Sequence, residues 1–183
     1  MIKKGIILAG GSGTRLSPLT KSVNKQLLPI HDKPMIFYPL SVMMLANIKK
    51  ILMIVNPGQI NNFKSLLGDG SRYGIDINYK IQDKPHGLPD AFILGKTFIN
   101  KENVALILGD NFFYGQSLTR KLEKSSTHKS GATIFLKEVS SPENYGVAKI
   151  SKKRIEKIIE KPKKYVSNNA ITGLYFFDKN VSD

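Results

Sequence analysis

The chain has 183 residues, of which 28 are lysine or arginine and 14 are aspartate or glutamate, so its formal net charge is +14. It contains no cysteine, which excludes disulfides, thiolate chemistry and cysteine-based zinc sites. The basic residues are scattered without an interleaved aromatic series, which argues against nucleic acid as a partner, although the net charge would attract polyanionic nucleotides.

The first predicted element is a short strand. Residues 6–9 form a fully apolar run that follows Lys3 and Lys4. Such a run is typical of the centre of a parallel sheet that is covered on both faces. It is too short for a signal peptide or a membrane span, so we expect a cytoplasmic protein.

A glycine-rich loop, Gly10-Gly11-Ser12-Gly13-Thr14-Arg15, follows this strand, and a second cation lies downstream at Lys25. Because glycine has no side chain, the N–H groups of Gly10, Gly11 and Gly13 can surround an anion, to which Arg15 and Lys25 add full charges. The loop is neither a P-loop nor a dinucleotide fingerprint, because the required lysine and third glycine are missing. We therefore predict another kind of phosphate-binding loop; the alternative is a plain turn between a strand and a helix.

Helices and short strands alternate through the first two thirds of the chain. Helices are predicted at residues 34–48, 59–67, from 90 onward and at 116–124, and strands at 51–55, 76–82, 104–108 and 132–139. The alternation predicts an α/β fold with a doubly wound sheet, which binds ligands outside the carboxyl ends of its strands. The glycine loop, residues 82–87 and Asp110 all follow such ends.

The last third of the chain has a different pattern. Residues 145–150, 155–160 and 171–177 are strand-like and have no helical segment between them. This predicts additional antiparallel strands, which would form a lid or a wall of the binding site.

Asp110 is a candidate metal ligand. It follows a buried strand and precedes Asn111, so its carboxylate is expected at the sheet edge, where a phosphate-bound Mg²⁺ needs a hard oxygen ligand. The alternative is an Asx turn or a helix-capping carboxylate.

The glycine motif, together with Leu16 and Lys25, resembles the signature of the sugar-1-phosphate nucleotidylyltransferases. Three continuations are similar to the members of that family that transfer thymidylyl groups: Lys25-Gln26-Leu27-Leu28-Pro29, Asp32-Lys33-Pro34-Met35-Ile36 and Tyr38-Pro39-Leu40-Ser41. Later landmarks follow in order to the end of the chain. The resemblance implies the Rossmann-like, doubly wound mixed sheet of the nucleotide-diphospho-sugar transferases, with the extra antiparallel strands in the second half.

The resemblance also implies an activity and a set of roles. The activity is transfer of a thymidylyl group from dTTP to α-D-glucose 1-phosphate by an in-line, Mg²⁺-assisted displacement that yields dTDP-glucose and pyrophosphate. The catalytic candidates are Arg15 for the pyrophosphate, Lys25 for the α-phosphate region, Asp110 for Mg²⁺ and Lys161 for the sugar phosphate. The nucleotide-binding candidates are Leu8, Gly10, Gly11, Gly13, Thr14, Arg15, Gln26, Gln82 and Gly87. The sugar-binding candidates are Asn111, Tyr145, Gly146, Glu160, Lys161 and Ile171.

The base is expected to meet Gln82 and the backbone of Gly87. A glutamine amide donates and accepts at once, which matches the N3–H and the flanking carbonyls of thymine. Cytosine would leave buried groups unpaired and be rejected. Uracil lacks only a methyl group, worth roughly 1 kcal/mol, so some use of UTP is expected.

Two features depart from the family. The first is the segment Gly87-Leu88-Pro89-Asp90-Ala91. The thymidylyl-transferring members usually have Gln-Ala after Gly-Leu-Ala in this place, so Asp90 stands where they have a glutamine. Family members also continue past the strand at 172–175 with a second metal-binding Asp and further helices. The resemblance thus implies a single nucleotidyltransferase domain over residues 1–183, truncated at its C-terminus relative to the family, and the homo-oligomer of the family, a tetramer.

Two alternatives to the thymidylyltransferase stay open. One is a non-catalytic protein that binds nucleotide sugars. The other is an enzyme of the same fold that uses UTP or a different hexose phosphate. Pyrophosphate release in the presence of dTTP, Mg²⁺ and glucose 1-phosphate distinguishes a thymidylyltransferase from the non-catalytic binding protein. Replacing dTTP by UTP in the same assay tests for an enzyme that uses UTP.

Overall fold

The computed structural model describes residues 1–11, 13–84, 87–127, 129–152 and 154–182. The strands are β1 Lys4–Ala9, β2 Pro29–Ile30, β3 Lys33–Pro34, β4 Lys50–Val55, β5 Asp76–Ile81, β6 Val104–Leu108, β7 Ala132–Glu138, β8 Gly146–Ser151, β9 Arg154–Glu160 and β10 Asn169–Phe177. The α-helices are α1 Phe37–Leu45, α2 Ile60–Leu67, α3 Leu88–Ile99 and α4 Leu118–Ser126. Within the described ranges, no helix is long and apolar enough to cross a membrane.

The chain divides into two compact units. The first comprises Met1–Thr133 together with the end of the chain from Phe176, and the second comprises Ile134–Tyr175. The prediction of a single domain stays a prediction, because this division does not decide whether the two units fold together.

The first unit contains four parallel strands in the order β5-β4-β1-β6. Ala9 is paired with Val55, Val55 with Ile81, and Leu8 with Leu108. The carboxyl ends of the four strands are therefore level, and the residues after them emerge at one edge. The strand order also reverses direction beside β1, which is where a doubly wound sheet opens a crevice for its ligand.

Helices cover both faces of this sheet. A Cβ at Gly5 of β1 would lie 2.9 Å from the Met43 Sδ of α1, whereas a Cβ at Gly95 of α3 would lie 3.0 Å from Cδ1 of Ile6. Since successive residues of a strand point to opposite faces, α1 packs on the face of Gly5 and α3 on the face of Ile6. This arrangement confirms the predicted doubly wound α/β fold.

The first helix is shorter than predicted. The apolar run indicated a helix over residues 34–48, but α1 begins at Phe37 and ends at Leu45. Pro34 instead pairs with Pro29 in the small antiparallel hairpin of β2 and β3. At the other end the chain leaves the helix at Asn47, which adopts the left-handed conformation (φ 57°) that commonly ends a helix.

The second unit is antiparallel, as predicted. β8 pairs with β9 from Gly146 opposite Glu160 to Ser151 opposite Arg154, and β10 pairs with β8 at Ala170 and Val147. The Thr172 hydroxyl of β10 donates to the carbonyl oxygen of Phe135 in β7 at 2.8 Å. The second unit is thus a set of strands held by backbone and side-chain hydrogen bonds without an α-helix of its own among the residues that the structure describes.

Candidate active site

Polar and glycine residues follow each of the four parallel strands at their level ends. Gly10 follows β1, Asn56 follows β4, Gln82 follows β5, and Gly109 with Asp110 follows β6. The register therefore gathers the predicted phosphate loop, the predicted base contact and the predicted metal ligand at one edge of the sheet.

The glycine loop is held by two amide side chains. The N–H of Gly11 donates to Oδ1 of Asn56 at 3.2 Å, and Nδ2 of Asn56 donates back to the Gly11 carbonyl at 3.0 Å. Nε2 of Gln26 donates to the Gly10 carbonyl at 3.0 Å. The sequence predicted that the N–H of Gly11 faces an anion, but in the structure this N–H is already bound by Asn56.

Gly13 turns the loop toward Arg15. Gly13 has φ 61°, and a Cβ at this position would lie 2.8 Å from Cγ2 of Thr20, so a larger residue fits neither the backbone nor the space. The hydroxyl of Thr20 donates to the Gly13 carbonyl at 2.8 Å. The short 3-10 helix Thr14–Leu16, which carries Arg15, begins directly after this fixed point.

Lys25 lies on a separate capped turn. The side-chain oxygen of Asn24, which is 8% exposed, accepts a hydrogen bond from the Gln26 N–H at 2.9 Å and caps the 3-10 helix Lys25–Leu27. The cap fixes the start of this helix, so the neighbouring residues Lys25 and Gln26 both face the loop.

Asp110 and Lys25 form an ion pair. Lys25 Nζ lies 2.5 Å from Asp110 Oδ2, with 19% and 35% of the respective side chains exposed. Asp110 is presented at the edge because the backbone of Gly109 packs closely against β1: a Cβ at Gly109 would lie 3.0 Å from the Leu8 carbonyl oxygen. The site thus places a lysine against a carboxylate that is open to a ligand.

Two cavities share Lys25 and Asp110 and therefore adjoin. The larger, of about 540 Å³, is lined by Gly13, Thr14, Arg15, Leu16, Lys25, Met35 and Asp110. The smaller, of about 190 Å³, is lined by Leu8, Gly10, Gly11, Lys25, Gln26, Gln82, Gly87, Leu108 and Asp110. Each of the nine nucleotide-binding candidates thus lines one of the two cavities.

Gln26, which lines the smaller cavity, carries an unpaired hydrogen-bond acceptor. The Gln26 residue is 1% exposed, and among the residues that the structure describes its Oε1 finds no hydrogen-bond partner. Leaving a buried polar atom unpaired costs about 1–3 kcal/mol, so a hydrogen-bond donor that reached Oε1 would gain that amount in affinity.

The predicted base contact, Gln82, is 5% exposed and bound to a helix residue. Its Nε2 donates to Oδ2 of Asp90 in the first turn of α3 at 2.6 Å. Gly87 lies just before α3 with φ 88°, a conformation that favours glycine. Ser12 of the glycine motif and Pro85 and His86 of the preceding loop lie outside the described residues.

Most of the sugar-binding candidates lie together in the second unit. Gly146 is paired with Glu160, and a Cβ on Gly146 would lie 2.8 Å from Oε2 of Glu160 and 3.7 Å from Cδ1 of Ile171. The Lys161 N–H donates to the Tyr145 carbonyl at 3.0 Å. Asn111 lies in the first unit, where its N–H donates to the carbonyl of Leu108.

A tyrosine hydroxyl adds to this group. Burial, and to a smaller degree the charge of Glu160, raises the pKa of Tyr175 above its ordinary value. A tyrosine with its ordinary pKa of about 10 is already protonated at neutral pH, so the shift only extends the range over which the O–H of Tyr175 is kept as a donor.

These features define an α/β protein whose candidate site combines a glycine loop, two cations and a carboxylate at the carboxyl ends of parallel strands. A family model described as nucleotidyl transferase matches residues 4–183. The chain belongs to the nucleotidyl transferase family.

The chain is similar to proteins with a more specific name. It is 55% identical over 179 residues to the glucose-1-phosphate thymidylyltransferase of Neisseria meningitidis, covering 97% of this chain and 62% of that protein. It is 48% identical over 181 residues to the protein of the same name from Mycolicibacterium smegmatis, covering 98% of this chain and 62% of that protein. The chain thus spans 62% of the length of these relatives.

Solved structures share the fold. A candidate glucose-1-phosphate thymidylyltransferase of Bacillus anthracis, in complex with sucrose, superposes with a TM-score of 0.89 at 39% identity, covering 96% of this chain and 71% of that one. A UDP-glucose pyrophosphorylase in complex with UDP-glucose reaches 0.83 at 25% identity, covering 100% of this chain and 78% of that one. Both comparisons support the mixed α/β architecture.

Asn24 and Asn56 take part in the site although the sequence did not single them out, and Asp90 takes part although the sequence marked it only as a departure from the family. Asn56 follows a buried strand just as Asp110 does, so the same pattern was a usable signal. Asn24 gave no such signal, because it acts through the conformation of a neighbouring site residue. For Asp90, which binds Gln82, the signal was its departure from the glutamine that is usual in the family.

Proposed function

We propose that this chain binds dTTP and glucose 1-phosphate and transfers the thymidylyl group to form dTDP-glucose and pyrophosphate. The observation that carries the proposal is the joint placement of Arg15, Lys25 and Asp110 on one cavity that adjoins a smaller cavity with Gln82 and Gly87. The larger cavity offers charges for a triphosphate, and the smaller one offers hydrogen bonds for a base. The names of the similar proteins support the same activity.

The reaction asks mainly for positioning and positive charge. A phosphate oxygen of the sugar attacks the α-phosphorus in line, the bond to the bridging oxygen breaks, and pyrophosphate leaves with the bonding electrons. Both reactants are anions, and charge gathers on the leaving group, so cations supply most of the catalysis. Arg15 can bind the pyrophosphate with its planar fork, and Lys25 serves the α-phosphate as a mobile point charge. No nucleophile from the protein is required.

Asp110 fits a magnesium ion that is shared with the substrate. Among the described residues, no group of three or more His, Cys, Asp or Glu side chains is placed to hold a metal alone. Mg²⁺ is commonly bound by one or two carboxylates together with substrate phosphates, so the single Asp110 beside the phosphate cavity matches this ion. When bound, Mg²⁺ would neutralise phosphate charge in the transition state.

The second unit is proposed to hold the sugar. Glu160 can accept hydrogen bonds from two adjacent hydroxyls, and the missing side chain of Gly146 leaves room for the Glu160 carboxylate beside the strand. Lys161 would supply the charge for the sugar phosphate. Tyr145 and Ile171 complete the proposed set in this unit. The sugar-binding role of Asn111, which lies in the first unit, stays a prediction.

The test is a reconstitution with this chain. The protein is incubated with dTTP, Mg²⁺ and glucose 1-phosphate, and pyrophosphate and dTDP-glucose are followed, with UTP in place of dTTP and EDTA in place of Mg²⁺ in parallel. Pyrophosphate release that needs all three components supports the proposal, and faster release with UTP would favour a uridylyltransferase. Binding of dTTP without turnover would favour a nucleotide-binding role, and failure to bind dTTP would overturn the proposal. Sedimentation velocity would test the homo-oligomer that the resemblance implies.

Asn56→Ala is expected to weaken dTTP binding about tenfold. The variant loses two hydrogen bonds to Gly11, each worth about 0.5–1.5 kcal/mol. Part of the binding free energy of dTTP would then be used to order Gly11, which weakens the affinity. Isothermal titration calorimetry measures the change. Asn62→Ala, an exposed change on α2, is the matched control, and equal affinities for the two variants would contradict the role assigned to Asn56.

A further inference from the structure

The contact between Gln82 and Asp90 has a direction. The carboxylate of Asp90 can only accept hydrogen bonds, so the amide group of Gln82 must turn its nitrogen toward it, as the 2.6 Å contact shows. The opposite orientation would place the carbonyl oxygen of Gln82 against a carboxylate oxygen and is repulsive. Asp90 therefore removes the ambiguity that a free glutamine amide would have.

The carbonyl oxygen of Gln82 consequently faces the loop. A Cβ built on Gly10 would lie 3.3 Å from Oε1 of Gln82, and both residues line the smaller cavity. The absence of a side chain at Gly10 leaves this oxygen accessible from the cavity. A ligand that enters here meets an acceptor.

We propose that Asp90 is a positioning residue for base selection: by binding the Gln82 amide nitrogen, it fixes Oε1 as the atom that the base must satisfy. The inference rests on the proposed function. A base with an N3–H, thymine or uracil, donates to this oxygen, whereas N3 of cytosine is an acceptor and faces it unpaired. Sites built to hydrogen-bond a substrate reject analogues that leave buried groups unsatisfied. The contact does not sense the 5-methyl group, so it separates cytosine from the other two bases only.

A purely structural role for Asp90 makes a different prediction. Asp90 lies in the first turn of α3, where a carboxylate interacts favourably with the helix dipole. If that were its whole role, its removal would lower stability and would weaken all pyrimidine nucleotides alike. Base preference, measured as a ratio of affinities, separates the two roles.

The experiment compares dissociation constants for dTTP, dUTP and dCTP by isothermal titration calorimetry. The three ligands share the triphosphate, so the phosphate contacts cancel in the ratios. We expect the wild-type protein to prefer dTTP over dCTP by about a hundredfold, and Asp90→Leu to reduce that preference about tenfold because the amide can turn its nitrogen to the cavity. Asp90→Asn keeps an acceptor oxygen for Gln82 and is expected to retain most of the preference.

Asp83→Ala removes an exposed carboxylate next to Gln82 in the sequence and controls for the change in charge. The ratio of the dTTP affinity to the dUTP affinity should be the same in every variant as in the wild-type protein. If Asp90→Leu does not fold, Asp90→Ala is used in its place. Equal weakening of dTTP and dCTP in the variants overturns the inference alone. A wild-type protein that binds no pyrimidine nucleotide overturns the proposed function as well.

Discussion

Asp110→Asn is expected to lower Mg²⁺-dependent pyrophosphate release roughly a thousandfold, since a metal ion contributes several kcal/mol of charge stabilisation and each 1.36 kcal/mol is a factor of ten. The substitution preserves the size of the side chain but removes the charge that would hold the ion. Because about a third of the Asp110 side chain is exposed, the variant should fold with little loss of stability.

The decrease is measured as kcat over a range of Mg²⁺ concentrations, with dTTP binding in EDTA recorded alongside. Asp76→Asn, at the opposite end of β5 from the site, is the control for removal of a carboxylate. A variant that keeps more than a tenth of the wild-type rate at saturating Mg²⁺ would show that Asp110 does not hold the ion.

Lys25→Met is expected to change two affinities in opposite directions. Loss of a charged hydrogen-bond donor costs about 1.5–3 kcal/mol, so the affinity for dTTP with Mg²⁺ should fall by roughly tenfold to a hundredfold. The affinity of the nucleotide-free protein for the metal should rise, because Lys25 Nζ no longer occupies Oδ2 of Asp110. In the wild type, an incoming triphosphate would draw Lys25 away and release the carboxylate, so nucleotide and metal would bind cooperatively.

Electron paramagnetic resonance of added Mn²⁺ reports free metal and gives the affinity without nucleotide, and calorimetry gives the affinity for dTTP. Lys21→Met changes an exposed lysine on the neighbouring 3-10 helix and controls for net charge. A metal affinity that falls in Lys25→Met would mean that the lysine supports the metal site rather than competes with it.

Strands β1, β4 and β6 were predictable because each contains a continuous apolar run, whereas β5 was predictable because apolar and polar residues alternate along it. Residues 51–55 and 104–108 were predicted as buried strands, and the structure has Lys50–Val55 and Val104–Leu108. Length and apolar character are local properties, so the sequence carries them. The hairpin of β2 and β3 was missed because two-residue strands have no measurable periodicity, and its Pro34 was assigned to the following helix.

The site was predictable as a set of residues but not as a network. Glycines and cations after a strand, and an aspartate after another, mark the edge at which ligands bind. What the sequence does not contain is which of these groups bind each other: the Asn56 contact to Gly11 joins residues 45 positions apart, and the Lys25 contact to Asp110 joins residues 85 apart. Such pairs depend on the register of the sheet, which only the folded chain defines. The roles assigned to the catalytic, nucleotide-binding, metal-binding and sugar-binding residues all stay predictions.

The anchoring of Gly11 by Asn56 has a kinetic consequence. Because Gly11 is held before the ligand arrives, no slow closing step is needed at this residue. We therefore expect nucleotide association to be limited by diffusion and by long-range attraction to the basic protein. Differences among nucleotides should then appear almost entirely in how long each complex lasts. In stopped-flow measurements at several salt concentrations, all nucleotides should share one association rate constant, which falls as the ionic strength rises. The dissociation rate constant should differ from base to base.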